Sequence, residues 1–378
     1  MSATKSSINF DSHSEKAQTS KLEGFDFLRA IFAIAIVVLH SRLFMVVEGF
    51  KIGSLSVVDI LNANVVYIAV PVFFQISLFL FYIKSEKMGS GYLLQKRFPK
   101  LISLYFFWVI SKIVFDIFLK GKSESLQNST SSVRSFIEFI VSGGNSPLYF
   151  FFSLAFITAL TEVLVLSFGK IRKNPIKIIT LYSLLFISCA LVFLFALLRL
   201  IPDDGTGGVG LFQAASNIAK WAYNPLNFLP YIFTTAIVVQ EFNSGKLKKN
   251  NSKLKLKLYS LFFLFLIFTV LEWNYSKELL HYSRLSLVLG SWLLLYLALL
   301  STRKPSGIVR FISGCSLGIY TFHLFFTHGF FEMDLNVFRT LDQIFPNLVF
   351  LIEFSIALIF SVLATMLFRK NNFLKDFV

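Results

Sequence analysis

Asp26, Arg29 and His40 are the only ionisable side chains in the apolar run from Gly24 to His40. On a helix, the interval from Arg29 to His40 is close to three turns, so both side chains point the same way, ~16 Å apart along the axis. Asp26 falls on the same stripe, one turn below Arg29. An ionisable group held at mid-membrane costs about 2.5 to 3.5 kcal/mol on insertion scales, so such groups usually face a protein-lined cavity and serve a function. His40 is expected slightly outward of the centre of its span, where a neutral imidazole can act as a general base near pH 7. Two quieter readings stay open: His40 hydrogen-bonded within a helix bundle, and Arg29 snorkelling to the near surface and pairing with Asp26. A second polar stripe lies near the other end of the chain. Ser316, Tyr320 and His323 are spaced by four and three residues and share one face of an apolar helix. Such groups must find partners, either across helices or around a cavity.

The elements that must carry these residues are membrane helices. Of the 378 residues, 55% are apolar, 17% are Phe, Tyr or Trp and only 15% are charged, which is outside the range of a soluble domain. Apolar runs near the span minimum of roughly 20 residues recur along the chain, predicting an all-α, polytopic bundle of about ten transmembrane helices. We place them near 27–47, 64–83, 98–119, 147–169, 176–200, 226–240, 256–273, 284–301, 308–331 and 347–368. The sixth is short and holds Pro230, so it is the one expected to be broken, tilted or out of register. Residues 1–24, rich in Ser, Thr and Lys and without a signal-peptide pattern, read as a disordered cytoplasmic tail. Residues 25–370 form the membrane domain and 371–378 a second cytoplasmic tail.

Loop charge gives the orientation, because short cytoplasmic loops carry excess Lys and Arg. One side collects Lys16 and Lys21, then Lys84, Lys87, Lys96 and Arg97, then Lys170, Arg172 and Lys173, the run from Lys246 to Lys257, then Arg303, Lys304 and Arg310, and finally Arg369 and Lys370. The other side, with Glu48, Lys51 and Asp59, with Asp203 and Asp204, with Glu272 and Glu278, and with Glu332, Asp334 and Asp342, is acidic or mixed. Both termini are therefore expected in the cytoplasm. Two polar outer connections, 120–146 and 201–225, are long enough either to contact something outside the membrane or to act as tethers.

Topology, not nucleic acid, explains the net charge of +15: the cations sit between apolar runs, and the Lys246 to Lys257 cluster suits anionic lipid headgroups. Gly205, Gly207, Gly208 and Gly210 spell a dinucleotide fingerprint but lack a preceding strand. The acceptor-like Asn128, Ser129 and Thr130 matter only in a eukaryotic lumen. Cys189 and Cys315 lie in apolar runs and receive no chemistry, no metal site is expected, and His328 is left as an interfacial residue.

Four segments together resemble the family-3 membrane acyltransferases. Phe25, Asp26, Phe27, Leu28 and Arg29, with His40, are similar to the family's Leu-Asp-Gly-Leu-Arg opening and the histidine that follows it. Val72 to Leu80, with Phe73, Phe74 and Ser77, looks like its Phe-Phe-x-x-Ser-Gly-Phe-Leu segment. Arg97, Pro99, Lys100 and Tyr105 resemble its Arg-x-x-Arg start to the third span. Ser316, Tyr320 and His323 resemble its Ser-x-x-x-Tyr-x-x-His. The chain departs from the pattern at Leu78, where glycine is usual, at Lys100, which replaces the second arginine and loses its bidentate fork, and at Pro147 and Tyr149, where a His-Leu-Trp-Phe-like segment is common.

The resemblance implies an acyl-CoA donor, acetyl-CoA being usual, and as acceptor a sugar hydroxyl of an envelope glycan or lipid-linked sugar, at the inner membrane of a cell. On that basis Arg29, Arg97 and Lys100 hold the nucleotide end of coenzyme A, His40 is the general base, and Tyr320 and His323 are oxyanion donors. Asp26, Ser77 and Ser316 support them. A transporter or flippase for such a glycan, using the same groups without acyl transfer, is the rival reading.

Overall fold

The computed structural model describes residues 22–53, 55–89, 91–120, 131–170, 174–201, 211–221, 223–248, 250–276, 278–327 and 345–378. The residues up to 21, Asn128 to Thr130, Gly205 to Gly210, Arg172, Lys173, Asp203, Asp204, Lys249, His328, Glu332, Asp334 and Asp342, all considered above, lie outside the described residues.

The chain is a multi-pass bundle of membrane helices. Seven helices are long and apolar enough to cross a bilayer, at Val57–Met88, Leu93–Leu119, Tyr149–Gly169, Pro175–Arg199, Ser252–Tyr275, Gly307–Phe325 and Asn347–Lys370. Three shorter helices fall on the remaining expected spans: α1 (Gly24–His40), α9 (Leu229–Asn243) and α11 (Leu285–Leu300). The others, in chain order, are α2 (Val57–Leu61), which runs through a π turn at Asn62–Val66 towards α3 (Ala69–Met88); α4 (Phe98–Lys120), preceded by a π turn at Leu93–Arg97; α5 (Val133–Val141); α6 (Tyr149–Lys170); α7 (Asn174–Arg199); α8 (Leu211–Lys220); α10 (Ser252–Tyr275); α12 (Gly307–Phe325); and α13 (Pro346–Lys370). A two-stranded antiparallel hairpin, β1 (Lys51–Ile52) with β2 (Leu55–Ser56), caps the turn before α2.

Burial separates the spans into centre and rim. The α2–α3 span is 72% buried, against 17% for α10 and 22% for α13, whose outer faces are apolar and exposed as lipid contact requires. Polar pairs stitch the centre where apolar packing against lipid gives no preference. Gln75 of α3, fully buried, donates to Thr234 Oγ1 of α9 at 2.9 Å. Ser85 of α3 donates to Glu162 of α6 at 3.1 Å.

Three expectations change. The first span does not run on to residue 47: α1 ends at His40, Arg42 takes a left-handed φ of 54°, and Leu43–Val47 forms a 3₁₀ turn. His40 is thus the last helical residue instead of a mid-span one. Pro230 does not break the sixth span, because it occupies the first turn of α9, where a missing N–H costs nothing. The described parts of the two long connections are also ordered. α5 is capped by Ser132, whose hydroxyl accepts from Ser135 N at 3.0 Å. α8 is pinned to α7 by Ser216 Oγ to Leu198 O at 3.2 Å and by Arg199 to Ala219 O at 3.2 Å. Residues 371–378 pack back on α4, where Trp108 Nε1 donates to Phe377 O at 3.1 Å and the Phe107 and Phe377 rings stack at 4.0 Å.

Candidate active site

α1 lies along α12 in the centre of the bundle, and this contact brings the two polar stripes together. Gly318 allows α12 to approach α13 closely: a Cβ there would fall 2.0 Å from Thr365 Oγ1. The His40 and His323 ring centroids are 4.9 Å apart. His323 is fully buried, and its Nδ1 meets Ile319 O at 3.1 Å, which assigns the ring proton to that nitrogen. Asp26 does not pair with Arg29: its Oδ1 accepts from Ser313 Oγ of α12 at 2.7 Å, locking the start of α1 to α12.

Two cavities open on opposite ends of this pair of helices. The first, of about 300 Å³, lies at the end of the bundle where Lys84, Arg97 and Lys100 cluster. Its lining includes Arg29, Ser77, Lys84, Arg97, Lys100 and Ser316, with apolar walls from α3, α4 and α6, and no Asp or Glu. Arg29 has no hydrogen-bond or ion-pair partner among the described residues, and Arg97 donates one bond to Ser77 Oγ while its Nε stays buried and unpartnered. Ser77 therefore steers Arg97, and the guanidinium groups face a cavity without acids, Asp26 on the same helix being the one carboxylate whose charge acts on Arg29. Burying such charge is costly unless something anionic completes the site. An anion entering here would meet cations from α1, α3, α4 and the π turn ahead of α4.

The second cavity, of about 150 Å³, lies beyond Tyr320 at the far end. Its walls include His40, Tyr67, Tyr149, Tyr223, His281 and Tyr282, and no formally charged side chain. The tyrosines hold one another: Tyr149 stacks on Tyr223 at 4.4 Å, and Tyr67 lies 5.1 Å from Tyr282. His281 is 6% exposed; burial, reinforced by the cations of Arg199 and Arg284, pushes its imidazole down to about 3, so it is neutral at physiological pH.

Tyr320 is common to both linings. Its hydroxyl donates to Pro147 O, so the side chain of α12 and the turn before α6 together form the partition. That turn is built for the purpose. Gly143 sits at φ 61°, where a Cβ would strike Tyr149 N at 2.5 Å. Ser142 and Asn145 bond each other at 2.9 Å, and Ser146 Oγ donates to Gly143 O at 2.6 Å.

Of the residues singled out in the sequence, Arg29, Ser77, Arg97, Lys100, Ser316 and Tyr320 meet at the first cavity. His40 faces the second, and His323 packs behind it without lining either. Asp26 holds α1 in place from outside both. Sequence reasoning missed the tyrosine walls, His281, and the frame behind them. Arg284, 1% exposed, donates to Glu272 Oε2 at 2.8 Å, Ala63 O at 2.8 Å, Asn64 Oδ1 at 2.7 Å and Ser286 Oγ at 3.1 Å, tying α10, α11 and the π turn before α3. A signal was present: Glu272 and Arg284 bracket a short connection between apolar runs, an opposite-charge pair at one membrane level. Among the described residues, no three His, Cys, Asp or Glu side chains converge as metal ligands would.

A family model described as an acyltransferase domain matches residues 22–370, nearly the whole chain. Neither a curated protein nor a solved structure gives a match.

Proposed function

Because the chain belongs to the family-3 acyltransferases, we propose that it moves an acyl group, acetyl being the usual one, from cytoplasmic acyl-CoA to a sugar hydroxyl of an envelope glycan or lipid-linked sugar. The observation that carries this reading is the acid-free cavity at the basic end, lined by Arg29 and Arg97, neither of which has a close ion-pair partner among the described residues. Adenosine phosphates are a suitable counter-charge, and a guanidinium binds phosphate oxygens with two parallel hydrogen bonds. Lys84 and Lys100 at the cavity mouth add positive potential towards the cytoplasm, in accord with the loop-charge rule and with cytoplasmic termini in an inner membrane.

The pantetheine arm then extends past Tyr320 along α1. Arg29 and His40 are on one helix and ~16 Å apart by helical rise, a span suited to that arm. At His40, the acceptor hydroxyl loses its proton to the imidazole as its oxygen attacks the thioester carbonyl. The tetrahedral intermediate collapses with cleavage of the C–S bond; the thiolate takes up a proton to leave as the CoA thiol, and the ester remains on the sugar. His323 fixes the His40 ring by packing on it, its own Nδ1–H being taken by Ile319 O, and Tyr320, held by Pro147 O, walls the path beside them. Ser77 and Ser316 support the donor cavity and Asp26 anchors α1 through Ser313.

The test is incubation of the purified protein with acetyl-CoA labelled in the acetyl group and with envelope glycan. Label in the glycan is the expected result. Glycan flux across liposomes with no label transferred would overturn the reading in favour of transport.

A further inference from the structure

We infer that the far-end cavity is the seat of a single uncharged sugar unit, held among the tyrosines Tyr67, Tyr149, Tyr223 and Tyr282 that line it and hydrogen-bonded by His281. This rests on the acyltransferase reading and specifies its acceptor. The volume of about 150 Å³ is that of on the order of ten waters at ~10–15 Å³ each, which suits one ring and not a chain. Sugars present polarised C–H groups on their faces and hydroxyls around their edges. Tyrosine answers both, with an electron-rich ring face and a hydroxyl that donates and accepts.

Neutrality of the occupant follows from what surrounds it. No Lys, Arg, Asp or Glu lines the cavity, so a buried uronate or an amino sugar would lose its hydration without gaining a counter-charge. The cations behind His281 are already committed. Arg284 is held by Glu272, Asn64 and backbone carbonyls, and Arg199 bonds Ala219 O at 3.2 Å and Glu278 at 3.3 Å. Of the His281 ring nitrogens, Nε2 meets Ser276 Oγ at 3.4 Å and the ring also interacts with the Glu278 backbone, while Nδ1 is buried and makes no hydrogen bond of normal geometry among the described residues. A sugar hydroxyl is a fitting partner for a neutral ring nitrogen. The same cavity presents His40, so the sugar seated there has a hydroxyl within reach of the proposed base.

Saturation-transfer NMR on the detergent-solubilised full chain tests this without chemistry, with methyl glucoside and methyl glucuronide as probes and irradiation of the aromatic protons. The expected result is transfer to the glucoside ring protons and little to the glucuronide, with His281→Ala and Tyr223→Ala each weakening glucoside binding by about tenfold. His281→Arg should reverse the preference towards the glucuronide. Retained acetyl-CoA binding shows that each variant still folds, and His281→Gln and Tyr223→Phe replace any that does not. Equal or stronger glucuronide transfer in the parent protein, no transfer to either probe, or glucoside binding that neither position affects would overturn the proposal. Glucoside binding in a protein that never labels a glycan would leave this site standing and remove the acyltransferase reading instead.

Discussion

Two arginines, Arg29, half-buried, and Arg284, buried, show how differently the two ends of this bundle are made. Arg284 at the far end is saturated: a carboxylate, an amide, a hydroxyl and backbone carbonyls take its donors. Its charge is part of the scaffold that holds the tyrosine walls in position. Arg29 at the basic end makes no hydrogen bond or close ion pair among the described residues, feels the charge of Asp26 from along its own helix, and looks into a cavity without acids. One arginine is satisfied by the protein itself, and the other faces a cavity complementary to an anion that must arrive. Strain from unpaired charge is a common property of binding sites, where stability is traded for affinity.

The largest effect is expected at a histidine of the far cavity. His40→Ala should lower acyl transfer by about 10² to 10⁴, the usual worth of a positioned general base, with membrane insertion unchanged; a steady-state assay with labelled donor measures it, and full activity would remove His40 from the chemistry. Next come the arginines, in opposite currencies. Arg284→Ala leaves the half-buried Glu272 without its cation and breaks the bonds to Ala63, Asn64 and Ser286, and should cost about 3 to 5 kcal/mol of stability, read as a large drop in melting temperature in detergent. Arg29→Met should leave the melting temperature equal or higher, yet weaken acyl-CoA binding by about ten- to a hundredfold, the value of charged hydrogen bonds at 1.5 to 3 kcal/mol. If Arg29→Met unfolds the protein and Arg284→Ala does not, the comparison is wrong.

Much of this was legible in the sequence because membranes impose strong rules. Span number and the apolar faces follow from hydropathy, and the His40, Tyr320 and His323 stripes from helical periodicity. The division of the site into two cavities was not legible. It depends on the contact of α1 with α12 and on a turn at residues 142–148 whose backbone carbonyl, at Pro147, meets Tyr320; no pattern in a single sequence encodes that meeting. The end of α1 at His40 was hidden for a different reason, since Leu43 to Val47 continues the apolar run through a change of backbone direction at Arg42. The tyrosines of the far cavity come from separate spans and loops, so each looks like ordinary interfacial aromatic residue until folding gathers them.

Tyr320 separates the regions, and its substitution asks whether the partition is static. Its hydroxyl is engaged by Pro147 O in the resting protein. Tyr320→Phe should therefore cost no more than about tenfold in turnover, as loss of one neutral hydrogen bond would. A loss of about 10² to 10³, the scale of a missing oxyanion donor, would mean that the hydroxyl leaves Pro147 during the reaction and joins the two cavities.

The smallest effect concerns the neutrality of the far cavity. In the folded chain burial and the nearby Arg199 and Arg284 hold His281 at about 3, against 6.5 for the unperturbed side chain. Between those values the unfolded chain binds a proton that the folded chain refuses, so stability is highest above pH 6.5 and declines as pH falls below it. By linkage the loss is about 1 kcal/mol at pH ~6 and steepens towards 1.4 kcal/mol per unit lower down. The measurement is the difference in melting temperature between the parent protein and His281→Gln across that range, which cancels the carboxylates titrating in both. The parent should lose stability faster than the variant on acidification, while at pH ~7.5 the two respond alike. Parallel curves throughout would mean that His281 accepts a proton in the folded state as readily as in the unfolded one, so that the far cavity becomes cationic below about pH 6.5.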